Sequence, residues 1–219
     1  MKGKHEICTM QILIIAATET EIRPFVNANT GIDVLITGVG VPSTMYHLQK
    51  RIHQIDYDFI IQAGIAGSFK NDIKLGDVVL VHHDCFADLG IEEKENYTPI
   101  FKTIFADDNE FPFTNGWLIN ADGHLKTTDL VTVKAITVNK VSDAELQKKQ
   151  YAKLFDADVE TMEGAALHYI CLQENIPFIQ VRSVSNLVGE RDKTKWEMQN
   201  AVENLNTELL KLINELRKQ

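Results

Sequence analysis

Short apolar runs alternate with helical segments along this chain, and that alternation restricts the fold more than any other feature. The runs are rich in isoleucine, leucine and valine, and each predicts a strand. They are Gln11–Ala17, Ile32–Thr37, Asp58–Gln62, Gly76–Val81, Leu130–Val138, Val159–Met162 and Phe178–Val184. The range Gly76–Val81 includes the turn that precedes its strand. Runs without polar alternation are typical of strands buried on both faces. We therefore predict a three-layer α/β/α fold with a central mixed, largely parallel sheet.

The segments between the strands carry helix signals. Thr18 is a candidate N-cap, and Glu21 stands three residues later, as a capping box requires. Pro42 and Ser43 favour the start of a helix that runs to about Gln54. Three further helices are predicted at Ser142–Leu154, Gly164–Glu174 and Trp196–Lys218.

One stretch, from about 84 to 123, interrupts the alternation. It has no sustained period, and it contains two prolines, three glycines and acidic clusters. We predict a long irregular insertion that could hold short helices, and loops of this length are usually functional. No linker composition is visible elsewhere, so residues 1–219 are expected to form a single domain.

Composition and charge exclude several classes of function. The net charge of -9 argues against a nucleic-acid or anionic membrane surface. No apolar run approaches the ~20 residues of a membrane span. The three cysteines are odd in number and widely spaced, which indicates reduced thiols rather than a disulfide framework. We expect a cytoplasmic protein.

Polar side chains gather where the last strand ends. The segment Val181–Asp192, VRSVSNLVGERD, passes from β-branched residues to Ser185 and Asn186. Ligands of open α/β sheets bind beyond the carboxyl ends of the strands. The segment Asp158–Tyr169 places Met162 and Glu163 at a helix start, and we predict that the two segments form walls of one pocket.

Each of these polar residues also has an ordinary structural interpretation. Asn186 could cap a turn, and Glu163 could complement a helix dipole. Glu21 could serve only the capping box. The residues alone leave these alternatives open.

Two other patterns suggest sites but support them weakly. His82–Cys85, HHDC, looks like a metal cluster, but adjacent strand residues point to opposite faces, so we expect no metal. Gly38–Gly40 could expose backbone N–H groups to a phosphate. Its neighbours Thr37 and Pro42 offer little to an anion, so a plain turn is the better interpretation.

Four short motifs in order carry a family resemblance. They are ATETE at 17–21, the glycine-rich AGIAG at 63–67, TMEGAA at 161–166 and VRSVSN at 181–186. Together they resemble the purine nucleoside phosphorylase and nucleosidase superfamily over nearly the whole chain. Within it, SNLVGERDKTKW at 185–196 is most similar to the futalosine hydrolases of menaquinone biosynthesis. The sister methylthioadenosine/S-adenosylhomocysteine nucleosidases usually have Ser-Asp where this chain has Ser185-Asn186.

The resemblance implies a nucleoside phosphorylase-like fold and a reaction. The reaction is hydrolysis of the N-glycosidic bond of futalosine to hypoxanthine and dehypoxanthine futalosine, without metal or cofactor, in a homo-oligomer that is commonly a dimer. The weak phosphate turn favours hydrolysis over phosphorolysis. The alternatives are a methylthioadenosine/S-adenosylhomocysteine nucleosidase, a phosphorylase and a non-catalytic nucleoside-binding protein.

The resemblance also implies roles for the catalytic residues. Glu21 corresponds to the general base that positions the attacking water, and Arg182 would help to hold that water and the base. Asn186 would recognise the departing base, because a carboxamide can donate to O6 and accept from N7–H of a 6-oxopurine. An ionised aspartate would instead set its charge against O6.

Further residues are implied to bind the substrate. Glu163 would accept hydrogen bonds from the ribose hydroxyls, with Met162 against the sugar. Ala66 and Gly67 would line the purine slot beside Ser185. One departure stands out, because this chain has Ile65 where the nucleosidases usually have a serine that bonds the water. Candidate cations for the substrate's carboxylate are Arg191 and Lys193, for which the alternative is that both are solvated surface charges.

Overall fold

The computed structural model describes residues 10–121 and 128–217. These ranges contain eleven strands: β1 (Ile12–Ala16), β2 (Asp33–Ile36), β3 (Phe59–Ser68), β4 (Val78–Asp84), β5 (Gly90–Glu93), β6 (Asn96–Pro99), β7 (Phe113–Thr114), β8 (Trp117–Ile119), β9 (Val131–Thr137), β10 (Val159–Thr161) and β11 (Phe178–Leu187). Their described helices are α1 (Glu19–Asn27), α2 (Val41–Ile52), α3 (Glu145–Phe155), α4 (Gly164–Gln173) and α5 (Met198–Leu216). All seven predicted strands and all five predicted helices are present.

The central sheet is mixed, and part of it closes on itself. Strands β2, β1, β3 and β11 are parallel to one another along the sheet. Strand β11 then pairs antiparallel with β4, β4 parallel with β9, β9 parallel with β10, and β10 antiparallel with the end of β3. These pairings join β3, β11, β4, β9 and β10 into a closed ring, so the two edges of the last part of β3 are both paired.

Helices cover both faces of the sheet. On one face, Ile12 and Ile14 of β1 pack with Phe25 of α1 and with Leu205 and Leu209 of α5. On the other face, Leu13 and Ile15 pack with Leu48 of α2 and Leu167 of α4. Alternate residues of one apolar strand thus enter two cores, and the predicted three-layer α/β/α fold is confirmed.

The glycine-rich segment differs from the sequence prediction. The predicted strand ends at Gln62, before the glycine-rich Ala63–Gly67, but β3 continues through this segment to Ser68. Its partner β11 pairs with it throughout and itself extends past Val184 to Leu187, with a register shift between Val184 and Asn186. The small residues of Ala63–Gly67 are therefore part of the strand and do not form a turn.

The insertion is more regular than predicted. Residues 90–99 form a hairpin of β5 and β6, and a second hairpin, β7 and β8, extends the main sheet through β4. Short strands with exposed, charged sequences such as Gly90–Glu93 have too little apolar alternation to be recognised. The end of the predicted insertion, 122–123, lies outside the described residues, as does Lys218 at the end of the last predicted helix.

Two smaller findings complete the fold. Helix α3 begins later than the predicted Ser142, with Ala144 at its N-cap, and the Ser142 hydroxyl accepts from the Ala144 amide at 3.1 Å. Within 10–121 and 128–217, no helix is both long and apolar enough to cross a membrane.

Candidate active site

One cavity of about 420 Å³ brings together most of the residues singled out in the sequence. It lies beside the ends of β3, β10 and β11 and the starts of α1 and α4. The predicted site residues that line it are Glu21, Ala66, Gly67, Met162, Glu163, Ser185 and Asn186. Arg182 is absent from the lining. The segments Asp158–Tyr169 and Val181–Asp192, which we predicted to be walls of one pocket, thus both contribute residues to this cavity.

Glu21 is held by three hydrogen bonds at the start of α1. Its Oε2 accepts from the Thr18 amide at 2.9 Å and from the Thr18 hydroxyl at 2.8 Å. Its Oε1 accepts from the Ile65 amide at 3.2 Å. The predicted capping box is present, and Glu21, which is 8% exposed as a residue, lines the cavity. The capping and catalytic interpretations of Glu21 are therefore compatible.

Glu163 is fixed at the N-cap of α4. Its Oε1 accepts from the Gly40 amide at 3.0 Å, and its Oε2 lies 3.8 Å from Nη1 of Arg182. Burial raises the pKa of the Glu163 carboxyl, and the Arg182 guanidinium opposes that shift. The carboxyl oxygens of Glu163, which lines the cavity, can accept hydrogen bonds from a ligand there.

The Gly38–Gly40 turn contacts Glu163 through a backbone amide. The Gly40 amide, which a phosphate would need, already donates to Glu163. Gly40 has a φ of 90°, a conformation that favours glycine. The turn thus connects β2 to α2 and orients a carboxylate of the cavity.

Arg182 lies behind the cavity and not in it. Its side chain is 1% exposed, and its Nη2 donates to Oε1 of Gln62 at 2.8 Å. Gly64 provides the space, because a Cβ there would collide with Nη1 of Arg182 and lie 3.0 Å from Oε1 of Glu21. The guanidinium therefore stands behind both carboxylates and can act on a ligand through them.

A second buried network fixes the start of α4. The Thr137 hydroxyl donates to Oδ1 of Asp84 at 2.9 Å and accepts from the Ala165 amide at 2.8 Å. Asp84 is fully buried, and burial raises its pKa to about 7 against the effect of the Thr137 hydrogen bond. Gly164 lies directly over Asp84, where a Cβ would not fit. This packing sets the position of Glu163, one residue before Gly164.

Asn186 and Ser185 form another part of the cavity wall. The Ser185 hydroxyl lies 2.8 Å from Oδ1 of Asn186 and 3.3 Å from the Ala66 carbonyl oxygen. Nδ2 of Asn186 donates to the Leu187 carbonyl at 2.8 Å. The Ser185 hydroxyl fixes the amide orientation, with Oδ1 accepting, and each amide atom keeps capacity for one more hydrogen bond.

The cavity also contains residues that the sequence did not single out. Thr20, Glu160 and Trp196 line it. Glu160 had a recognisable signal, since it is a charged residue inside the buried strand Val159–Thr161. Thr20 and Trp196 had none, because only the folded chain brings them to the site.

Both candidate cations reach the cavity. Arg191 and Lys193 are the cations among its described lining residues. The Arg191 guanidinium also lies 5.8 Å from the centre of the Trp196 ring. The neighbouring Lys195 instead pairs with Glu190 at 2.7 Å.

The HHDC motif serves other purposes. Nδ1 of His82 lies 2.8 Å from the Val133 carbonyl oxygen, and Asp84 belongs to the network under α4. The Cys85 thiol is buried. Within 10–121 and 128–217, no group of three or more histidine, cysteine, aspartate or glutamate side chains is placed to hold a metal ion.

Sequence comparison finds relatives with two activities. The chain is 29% identical to the futalosine hydrolase of Thermus thermophilus over 192 residues, which cover 85% of this chain and 83% of the relative. It is 25% identical to the 5'-methylthioadenosine/S-adenosylhomocysteine nucleosidase of Buchnera aphidicola, over 93% of this chain and 96% of that protein.

Structural comparison agrees on the fold. The structure of futalosine hydrolase from Helicobacter pylori superposes with a TM-score of 0.79 at 15% identity, over 94% of this chain and 98% of that one. The family model described as the phosphorylase superfamily matches residues 25–216. The resemblance drawn from the four sequence motifs is confirmed, and this chain belongs to the phosphorylase superfamily.

Proposed function

We propose that this protein is a purine nucleosidase and that its substrate is futalosine, which it hydrolyses to hypoxanthine and dehypoxanthine futalosine. The observation that carries the proposal is the meeting of Glu21, Glu163 and Asn186 in one cavity. Two carboxylates and a carboxamide match the three requirements of the reaction, which are an activated water, a stabilised sugar cation and a recognised 6-oxopurine.

In this mechanism Glu21 activates the water. The C1'–N9 bond breaks as the water oxygen bonds to C1', and Glu21 accepts the proton that the water loses. The purine leaves as a neutral base that has gained a proton at N7 from solvent. The hydrogen bonds from Thr18 and the Ile65 amide hold the carboxylate in place. Ile65 thus supplies a backbone donor to the base, although it has no hydroxyl for the water.

Glu163 and Met162 bind the sugar. The Glu163 carboxylate accepts hydrogen bonds from the ribose hydroxyls, and these bonds strengthen as the ring gains positive charge. Met162 gives an apolar, adaptable contact to the sugar face. Arg182 positions these groups from behind the cavity, since its Nη1 lies 3.8 Å from Oε2 of Glu163 and occupies the space beside Gly64 that Glu21 also faces.

Asn186 recognises the base. Its Nδ2 donates to O6, and its Oδ1 accepts from N7–H as the purine departs. Ser185 holds Oδ1 in this orientation. A carboxamide suits a 6-oxopurine better than a carboxylate does, and this favours hypoxanthine release over adenine release.

The substrate's carboxylate needs a cation in the cavity. Arg191 and Lys193 are the cavity's candidate partners for the benzoate. We also propose a cytoplasmic homodimer. Light scattering of the purified protein tests the dimer, which a monomeric mass at micromolar concentration would contradict.

The first experiment separates hydrolysis from phosphorolysis. Product is expected to form in phosphate-free buffer at a rate that added phosphate does not change. A strict requirement for phosphate, with a sugar 1-phosphate as product, would identify a phosphorylase instead.

The second experiment identifies the base. Futalosine and methylthioadenosine are offered in parallel, and the released base is identified by chromatography. We expect hypoxanthine from futalosine with a kcat/KM at least about 10-fold above that for methylthioadenosine. Faster adenine release would favour the activity named for the Buchnera relative. No release from either substrate would favour a non-catalytic nucleoside-binding protein.

A further inference from the structure

Glu160 is an acidic residue in the wall of the candidate active site. It belongs to strand β10, and both its neighbours, Val159 and Thr161, are buried. Its side chain lines the cavity. Within 10–121 and 128–217 its carboxyl group makes no hydrogen bond and no ion pair. A half-buried carboxylate without donors is costly, so its retention in a cavity wall points to a ligand that supplies one.

The strand register places Glu160 opposite Asn186 across the cavity. Glu160 pairs with Gly67 on one edge of β3, and Asn186 pairs with Gly67 on the other edge. Paired residues of neighbouring strands point to the same face of a sheet. A Cβ built on Gly67 would lie 3.4 Å from Nδ2 of Asn186, which confirms that the Asn186 side chain crosses this face.

Gly67 lies between the two polar side chains. They stand two strand spacings apart, roughly 10 Å between backbones. Because Gly67 has no Cβ, Val188 and the Asn186 carboxamide approach its backbone closely, and Gly67, Val188, Asn186 and Glu160 all line the cavity. A flat bicyclic base in this cavity can meet one polar side chain at each of two different edges.

The two edges of a 6-oxopurine differ in what they offer. Asn186 is proposed to meet O6 and N7. The N1 position, on the far side of O6, carries a hydrogen in hypoxanthine and is a donor. In adenine N1 carries no hydrogen and is an acceptor, so an ionised carboxylate there would face a lone pair.

We propose that Glu160 is a specificity-determining residue that accepts a hydrogen bond from N1–H of the base. The inference rests on the proposed function in one respect, namely that the base is a 6-oxopurine. Glu160 and Asn186 would then select the same base from two edges. Such a contact discriminates strongly, because the wrong base leaves a buried polar group unpaired.

Arg191 provides the competing interpretation of Glu160. Its charge lowers the pKa of the Glu160 carboxyl, while burial and Asp88 raise that pKa. No salt bridge within 4.0 Å joins Arg191 and Glu160 among the described residues, and Arg191 lies beside Trp196. If Glu160 served only to balance Arg191, it would not distinguish bases that differ at N1.

The test is the affinity of free bases that differ only at N1. Hypoxanthine and 1-methylhypoxanthine are titrated calorimetrically into the wild-type protein and into Glu160→Leu, which keeps the volume and removes the acceptor. The wild type is expected to bind hypoxanthine roughly 10 to 100-fold more tightly, the range for hydrogen bonds to charged groups. In Glu160→Leu the ratio should fall to about one-tenth of the wild-type ratio or lower.

Two further variants separate recognition from general effects. Glu160→Gln keeps the shape and offers a donor as well as an acceptor, so its preference for hypoxanthine over adenine should fall at least about 10-fold. Glu190→Gln is the matched control, because Glu190 lines the same cavity but is paired with Lys195. Its base ratios should stay at the wild-type values, and melting curves show that each variant is folded.

Futalosine turnover measured on the same wild-type preparation distinguishes the two proposals. Selective hypoxanthine binding without futalosine turnover would overturn the proposed substrate and support the role of Glu160. Futalosine turnover with equal affinity for the two bases, or with a ratio that Glu160→Leu leaves unchanged, would overturn the role of Glu160 alone. If the protein neither binds hypoxanthine up to millimolar concentration nor turns over futalosine, both proposals are overturned.

Discussion

Two cavities flank the turn before helix α2, and they differ in size and in chemistry. The smaller, of about 420 Å³, touches Val39 and Val141 and holds the converging polar side chains. The larger, of about 700 Å³, touches Val41 and Asn139 and is lined mainly by apolar and aromatic side chains from the insertion. Its charged lining residues, among those the structure describes, are acidic: Asp88, Asp107 and Glu110.

This difference shows that volume alone does not locate the chemistry. The larger cavity offers contact area from residues such as Phe101, Phe111 and Phe113. It presents no described cation and no fixed pair of carboxylates. The smaller cavity has acceptors held in place by backbone amides and a buried guanidinium behind them. Orientation of polar groups, which hydrogen bonds fix during folding, is what a hydrolytic site needs.

The largest effect is expected at the smaller cavity, from Glu21→Gln. The amide keeps the shape and can still accept from Thr18, but it cannot take the water's proton. We expect kcat to fall by on the order of 10²-fold or more, with KM little changed. Steady-state kinetics with futalosine measure this.

Glu19→Gln is the matched control for Glu21→Gln. Glu19 is an exposed acidic residue in the same first turn, paired with Arg23 at 3.6 Å. Its removal should leave kcat within about 2-fold, because exposed ion pairs contribute little. Near-normal kcat in a folded Glu21→Gln variant would restrict Glu21 to its capping role.

The next largest effect is expected from Asn186→Asp, which replaces the carboxamide proposed to contact the base with a carboxylate. The new carboxylate faces O6 unless it is protonated, and protonation costs free energy near neutral pH. The new carboxylate suits aminofutalosine, because the 6-amino group of that substrate can donate a hydrogen bond to it. The ratio of kcat/KM for futalosine over aminofutalosine should fall by roughly 10 to 100-fold.

Aminofutalosine is the appropriate comparison for Asn186→Asp because it differs from futalosine only at the purine 6-position. Asn96→Asp, an exposed change on β6 outside the cavity, is the control and should leave the ratio unchanged. An unchanged ratio in folded Asn186→Asp would remove Asn186 from base recognition.

A smaller effect is expected from pH, through Glu160. Burial and then Asp88 raise the pKa of this carboxyl to about 7 against the opposing effect of Arg191, while Tyr151 of α3 is a neutral neighbour below its own raised pKa. Above this pKa the carboxylate accepts from N1–H of hypoxanthine, and below it the acid can donate to N1 of adenine. The futalosine preference should therefore rise by about tenfold from pH 6 to 8.

The wild-type ratio of the two kcat/KM values is measured at each pH, so titrations common to both substrates cancel. The Glu160→Gln variant lacks the titrating group, and its ratio should be flat. A wild-type ratio that falls with pH would contradict the role assigned to Glu160.

The smallest effect is expected from the larger cavity. Phe111→Ser removes an aromatic side chain from its lining, and Phe105→Ser is the control, since Phe105 lies outside the lining and is similarly exposed, 72% against 65%. Both variants should keep the futalosine over aminofutalosine ratio within about 2-fold, because neither touches the base. A shift as large as that of Asn186→Asp would mean that the two cavities form one recognition site.

Much of the fold follows from local patterns in the sequence. The apolar run at Gln11–Ala17 and the capping pair Thr18 and Glu21 are local signals, and the strand and helix form where they predict. The carboxyl-end rule then brings Asn186 and Glu163 into one cavity. Glu21 joins them because α1 begins where β1 ends.

The rest depends on contacts between distant segments. Nothing near Ala63–Gly67 indicates that the strand continues, since its pairing is with β11, over a hundred residues later. The burial of Arg182 depends on the gap at Gly64 and on Gln62. Glu160 becomes a cavity residue only through the pairing of β10 with the end of β3. Such registers are set by the assembled sheet.

The capping box of α1 joins two tasks in one carboxylate. The oxygen of Glu21 that closes the first helical turn belongs to the group proposed to take a proton. A protonated carboxyl is a weaker acceptor, so the start of α1 would loosen in each cycle and tighten when the proton departs. Helix capping and proton transfer would thus be coupled through the same carboxylate. Selection for a more stable helix start would then alter turnover as well.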